Sequence, residues 1–146
     1  MSNKIALAAD HAGFELKEFV KKLLIDKGFE VVDYGTNSTE SVDYPDFAHK
    51  MGQAIDTGEI ERGIALCGTG NGISMTLNKH RKVRCALSWN KEIATLGRQH
   101  NDANVLALPA RFITPEEARG IVETFLNTAF EGGRHARRVG KIAPEQ

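Results

Sequence analysis

The sequence predicts an α/β domain, a five-stranded parallel sheet wound on both sides by helices. Five short apolar runs alternate with amphipathic segments, the βαβ rhythm of such folds. The runs are apolar at successive positions rather than alternate ones, as strands covered on both faces must be. The length, 146 residues, fits one domain spanning 1–146 with a core large enough to need no staples.

The first strand is residues 4–9, followed by the turn Asp10-His11-Ala12-Gly13. Phe14, Leu16, Phe19, Val20, Leu23 and Leu24 then recur at helical spacing among lysines and glutamates, and Gly28 ends that helix. Residues 29–33 form the second strand, and Tyr44-Pro45 opens a helix from Asp46 to about Thr57. A third strand at 63–67 leads through Gly68-Thr69-Gly70-Asn71-Gly72 into a short helix at 73–78. A strand at 84–89, a helix at 91–98 and a fifth strand at 104–109 follow. Thr114-Pro115-Glu116-Glu117 is a capped helix start with proline at the first helical position. Ala118, Ile121, Val122, Phe125, Leu126 and Ala129 share one face of that helix; Glu131-Gly132-Gly133 breaks it, and an extra basic helix begins near Arg134. The strand order expected is 2-1-3-4-5, the commoner one for five strands.

Hydrophobic residues at 41% and charged residues at 26% exclude a disordered chain. Lys+Arg and Asp+Glu both total 19, and a net charge of zero argues against nucleic acid or an anionic membrane as partner. No apolar stretch is long enough to span a membrane, no secretory signal pattern opens the chain, and two cysteines make no disulfide framework, so a cytoplasmic location is expected.

In such sheets ligands bind beyond the carboxyl ends of the strands, where the strand order reverses. That point lies between strands 1 and 3, which brings Asp10 and His11 beside Cys67 and the glycine-rich turn. The turn lacks the Gly-Lys-Ser/Thr ending of a P-loop, and Ile73 stands where a dinucleotide fingerprint needs glycine. What remains is a thiol at a strand end followed by backbone N–H groups at a helix start, which favour negative charge and should lower the Cys67 pKa. Taken alone, Cys67 could equally be a small buried hydrophobe; with Asp10 and His11 adjacent, the functional reading leads. Cys85 reads as packing, and His49 and His80 as surface or packing residues without partners. Arg134 and Arg138, four apart on one helix face, could hold a phosphate by forked hydrogen bonds or simply solvate a terminal helix. His100 and Asn101 precede strand 5 at the amino edge of the sheet, roughly 17 Å from Cys67. Either His100 is structural, or a second chain completes the site.

Six segments together resemble the type B ribose-5-phosphate isomerases, over about residues 4–142. They are Ala9-Asp10-His11-Ala12-Gly13, Val42-Asp43-Tyr44-Pro45-Asp46, Cys67-Gly68-Thr69-Gly70, Asn78-Lys79, Arg98-Gln99-His100-Asn101-Asp102 and Glu131-Gly132-Gly133-Arg134-His135. The wider family includes galactose-6-phosphate isomerase and members active on allose 6-phosphate. The resemblance implies a Rossmann-like three-layer α/β/α fold and a homodimer, in some members a dimer of dimers, with sites shared across the interface. It implies interconversion of ribose 5-phosphate and ribulose 5-phosphate without metal or organic cofactor. Some members use a cysteine as base and others a glutamate near position 74; with Cys67 present and no carboxylate between Gly72 and Leu77, this chain falls in the cysteine branch.

On that resemblance Cys67 is the base and His100 opens the sugar ring, with Asp10 at the ring oxygens. Thr69 relays the hydroxyl proton, and the N–H groups of Gly70, Asn71 and Gly72 receive the charge on O1. Gly68, Asn101 and Tyr44 contact the sugar, while His11, Arg134 and Arg138 hold the phosphate with help from Arg111 and His135. The rivals are the same chemistry on a six-carbon sugar phosphate, and a non-enzymatic phospho-sugar sensor that would need neither Cys67 nor His100.

Overall fold

The computed structural model describes residues 2–145. Its elements follow the predicted alternation: β1 (Lys4–Ala9), α1 (Phe14–Asp26), β2 (Glu30–Asp33), α2 (Tyr44–Asp56), β3 (Gly63–Cys67), α3 (Asn71–Leu77), β4 (Cys85–Leu87), α4 (Lys91–Asn101), β5 (Val105–Pro109), α5 (Pro115–Asn127) and α6 (Arg134–Val139). The five strands form one parallel sheet.

The strand order is β2-β1-β3-β5-β4, which corrects the expected 2-1-3-4-5. The strands themselves explain it. All five residues of β5 are buried, so it sits inside the sheet, whereas β4 is three half-buried residues and takes the edge. The Asn78 side chain closes that edge: its Oδ1 accepts from the Cys85 N–H (2.8 Å) and its Nδ2 donates to the Cys85 carbonyl (3.1 Å). Two backbone groups that would stand open on an edge strand are thereby paired. The reversal between β1 and β3 is common to both orders, so the expected site location survives the correction.

The buried strands alternate in size, though not in polarity. Ile5, Leu7, Ile64, Leu66, Leu106 and Leu108 face α1, α4 and α5, while Ala6, Ala8, Ala65, Cys67 and Ala107 face α2 and α3. The small face lets α2 and α3 lie close to the sheet, and it is the face that carries Cys67. Helix α5 starts as predicted: Thr114 Oγ1 accepts from the Glu117 N–H while the Glu117 carboxylate accepts from the Thr114 N–H. Among the described residues no helix is long and apolar enough to cross a membrane.

Candidate active site

Pairing of Ala9 with Leu66 sets the ends of β1 and β3 level, so Asp10 and Cys67 leave the sheet side by side. They open a cavity of about 860 Å³ lined also by His11, Tyr44, Gly68, Thr69, Gly72 and Arg111. Asp10 is buried, and its Oδ1 accepts from the Gly13 N–H at 3.1 Å. His11 Nδ1 accepts from the Val42 N–H at 3.1 Å, which leaves Nε2 to carry the proton of the neutral ring. That bond also draws the segment before α2 over the cavity, so Ser41, Val42 and Asp43 join its lining together with Asp46 in the first turn of α2.

Thr69 Oγ1 accepts from the Asn71 N–H at 3.1 Å, leaving the hydroxyl hydrogen free to donate. The N–H groups of Gly70 and Gly72 make no hydrogen bond among the described residues. A Cβ at position 72 would stand 2.5 Å from the Tyr44 Cζ, so glycine lets the phenol lie against the turn. Arg111 lies over Gly68, its backbone N–H donating to the Gly68 carbonyl at 3.0 Å. The cavity holds three carboxylates, Asp10, Asp43 and Asp46, against one guanidinium, Arg111. A dianionic phosphate finds too little positive charge there.

The remaining expected residues lie elsewhere, and none of them lines this cavity. Gly132 and Gly133, at φ 72° and 55°, turn the chain so that α6 returns onto α4. The imidazoles of His135 and His100 stack there with centroids 4.3 Å apart and planes 12° from parallel. Glu131 Oε1 stands 3.9 Å from His100 Nε2 and 3.6 Å from His135 Nε2. Burial lowers the His135 pKa, neighbouring His100 and Arg134 lower it further, and Glu131 opposes them. Arg134 and Arg138 are exposed. Asn101 lies in a recess beside β4 with Asn78 and Cys85.

Cys85 stays a thiol, pushed up to about 12 by burial against the opposing hydrogen bond with Ser74. His49 and His80 correct the expectation that they lack partners. His49 Nδ1 lies 2.8 Å from His80 Nε2, and His80 Nδ1 lies 3.2 Å from Asp56 Oδ2, a chain that ties α2 to the turn after α3. A second cavity of about 670 Å³ opens at the amino edge, where Arg84 and Arg98 both pair with Asp102 and Arg98 also donates to the Ala103 and Thr128 carbonyls. Those two guanidiniums hold helix and strand ends together. Among the described residues, the thiol, a buried carboxylate and a hydroxyl therefore meet at the carboxyl edge, and the imidazole pair with Glu131 lies apart on α4 and α6.

Sequence reasoning gave Glu131 no role, because nothing in its spacing announces that both imidazoles would face it. It also gave none to Val42, Asp43 and Asp46, which the hydrogen bond from the Val42 N–H to the His11 ring, across 31 residues, brings to the cavity.

The family model for Ribose/Galactose Isomerase matches residues 5–142. The chain belongs to this family. It is 45% identical to the ribose-5-phosphate isomerase B of Escherichia coli strain K12, over 95% of this chain and 93% of that protein. A ribose 5-phosphate isomerase structure from Thermotoga maritima superposes with a TM-score of 0.95 at 55% identity, over 97% of this chain and 98% of that one. The Mycoplasma genitalium ribose-5-phosphate isomerase B, solved with bound ribulose-5-phosphate, gives a TM-score of 0.92 at 44% identity, over 96% and 93% of the two chains. The family's fold is thus reproduced across almost the whole chain.

Proposed function

We propose that this chain is a ribose-5-phosphate isomerase, a single domain interconverting ribose 5-phosphate and ribulose 5-phosphate without metal or organic cofactor. The reading rests on family membership. Its site assignment is carried by one observation: the Cys67 cavity encloses a thiol, three carboxylates and a hydroxyl donor but only one guanidinium, while Arg134, Arg138 and His100 sit together outside it. Two such halves make one site when a second copy docks its α4–α6 region over the cavity.

His100 of one protomer opens the sugar ring by moving a proton at the ring oxygen, with Asp10 of the other at the ring hydroxyls. Cys67 as thiolate takes the C2 proton. The C–H pair becomes the C1=C2 double bond, and the carbonyl electrons move to O1. The N–H groups of Gly70 and Gly72 receive that charge, a stabilisation of the kind worth ~3–4 kcal/mol per donor. Thr69 passes the O2 proton to O1, and Cys67 returns its proton to C1. Arg134 and Arg138, with His11 and Arg111, hold the phosphate, and this remote binding positions the reacting carbons. Gly68, Asn71, Tyr44, Asn101 and His135 complete the contacts.

A symmetric homodimer satisfies this arrangement twice. Met75, Trp89, Leu96 and Ile142 are large apolar side chains left exposed by α3, the end of β4, α4 and the tail, which supports a partner at the β4 edge of the sheet. Steady-state isomerisation of ribose 5-phosphate beside allose 6-phosphate and galactose 6-phosphate, with a chelator present, tests the reading. Preference for the pentose is the expected result. Turnover of a hexose in preference would change the substrate, and ligand binding without any turnover would overturn the enzymatic reading.

A further inference from the structure

His100, Glu131 and His135 offer two imidazole nitrogens and a carboxylate oxygen within 4.8 Å of one another. His135 is buried, and its Nε2, which faces Glu131, has no hydrogen-bond partner. A lone pair or N–H left without a partner in the interior costs free energy, so the ring is held there for something that the isolated chain does not supply. Two histidines and one glutamate form a donor set of open zinc sites, with a fourth position left for water or a ligand oxygen. Tetrahedral zinc asks for ligand atoms roughly 3.3 Å apart. The carboxylate oxygen is already 3.6 Å from one nitrogen and 3.9 Å from the other.

We propose that His100, Glu131 and His135 form an inhibitory binding site for zinc or a similar imidazole-loving transition metal. One movement is required. The rings are 12° from parallel, so no single ion can lie in both ring planes. The His100 side chain is 40% exposed and turns about its Cβ–Cγ bond to present Nε2, breaking the stack. The neighbouring Arg134 and Arg138 disfavour cations bound by charge alone, which excludes magnesium and calcium more strongly than zinc held by nitrogen. The inhibition rests on the isomerase reading above: a metal on the His100 lone pair removes the group that opens the sugar ring. Metal binding itself does not depend on that reading.

The experiment is a calorimetric titration of zinc chloride into the chelator-treated, desalted full chain, with magnesium chloride in parallel. One zinc ion per chain is expected and no heat from magnesium. Glu131→Gln and His135→Gln should each weaken zinc binding at least tenfold, and His49→Gln, which alters the other histidine pair, should leave it unchanged. Circular dichroism checks the fold; Glu131 is exposed, so its variant decides the matter even if His135→Gln misfolds. Zinc bound equally by the Glu131 variant, or lost in the His49 variant, overturns the proposal. Zinc should also stop isomerisation, with recovery on adding chelator. A protein that binds zinc at this site but never isomerises would refute the enzymatic reading and keep the metal site; one that isomerises but binds no zinc would do the reverse.

Discussion

The cavity at the carboxyl edge and the cluster on α4 and α6 carry some of the same residue types but differ in enclosure and charge. The cavity is set by strand register: β1 and β3 end level, and Asp10 and Cys67 are buried where they end. The cluster is set by a glycine turn that lays a six-residue helix back on α4, and it keeps Arg134 and Arg138 in solvent. A rigid sheet edge suits groups that exchange a proton with carbon. An exposed, cationic helix face suits groups that capture an anion and meet a partner. Each half lacks what the other supplies.

The sharpest way to break this division is to disable each half separately. Cys67→Ala should lower kcat about a thousandfold, within the range for loss of a positioned acid or base, while ribulose 5-phosphate still binds. Near-normal turnover would remove Cys67 from the chemistry. His100→Asn should slow reaction from the ring form far more than from the open-chain fraction, measurable as a slow phase limited by spontaneous ring opening.

Mixing those two inactive variants addresses whether the halves belong to different chains. In a hybrid dimer one site combines both lesions and the other combines both intact halves. Random exchange in equal amounts should therefore restore about a quarter of wild-type activity. No recovery after subunit exchange, verified by mass, would place both halves in one chain. Arg134→Ala or Arg138→Ala should act more mildly, raising KM about tenfold with a smaller change in kcat, since each removes a charge-assisted hydrogen bond to a remote group.

The carboxyl-edge half was the more legible one in the sequence, for a physical reason. Contiguous apolar runs declare a parallel sheet, and topology then places Asp10 beside Cys67 whatever happens at the far edge. The order of β4 and β5 was not legible in the same way. Residues 84–89 read as a strand comparable to 104–109, but the strand narrows to Cys85–Leu87, with the Ser88 N–H still donating to the Ala107 carbonyl and Asn78 occupying the open side. Spacing likewise put Arg134 and Arg138 on one face, yet the stack of His135 on His100 depends on the angle at which α6 returns. Pair contacts between loops, such as Val42 to His11, leave no periodic trace.

The smallest effect on turnover should come from a buried ion pair behind the cavity, where the comparison can be sharpened by stability. Lys17 is fully buried and its Nζ lies 2.6 Å from Asp33 Oδ2, with Lys21 at 3.1 Å. Burial pushes the Asp33 pKa up, but hydrogen bonds from Lys17, the Gly35 N–H and Lys21 outweigh it, and the carboxyl is held below its ordinary value. A carboxyl lower in the folded chain than in the unfolded one stabilises the fold above about pH 4, and that stability is lost as pH falls through the folded value. Asp33→Asn leaves the Lys17 ammonium buried with only the exposed Glu18 carboxylate beside it, and should cost about 3 kcal/mol at pH 7 by urea unfolding. The gap between variant and wild type should close below pH 4. Gly35, whose N–H Asp33 accepts, hydrogen-bonds through its carbonyl to the Ala9 N–H, one residue before Asp10. Loss of Asp33 should therefore speed amide exchange around residues 9–13 and leave the His100–His135 stack unchanged. Equal loosening of both would mean that the two halves share one cooperative unit and are not independently built.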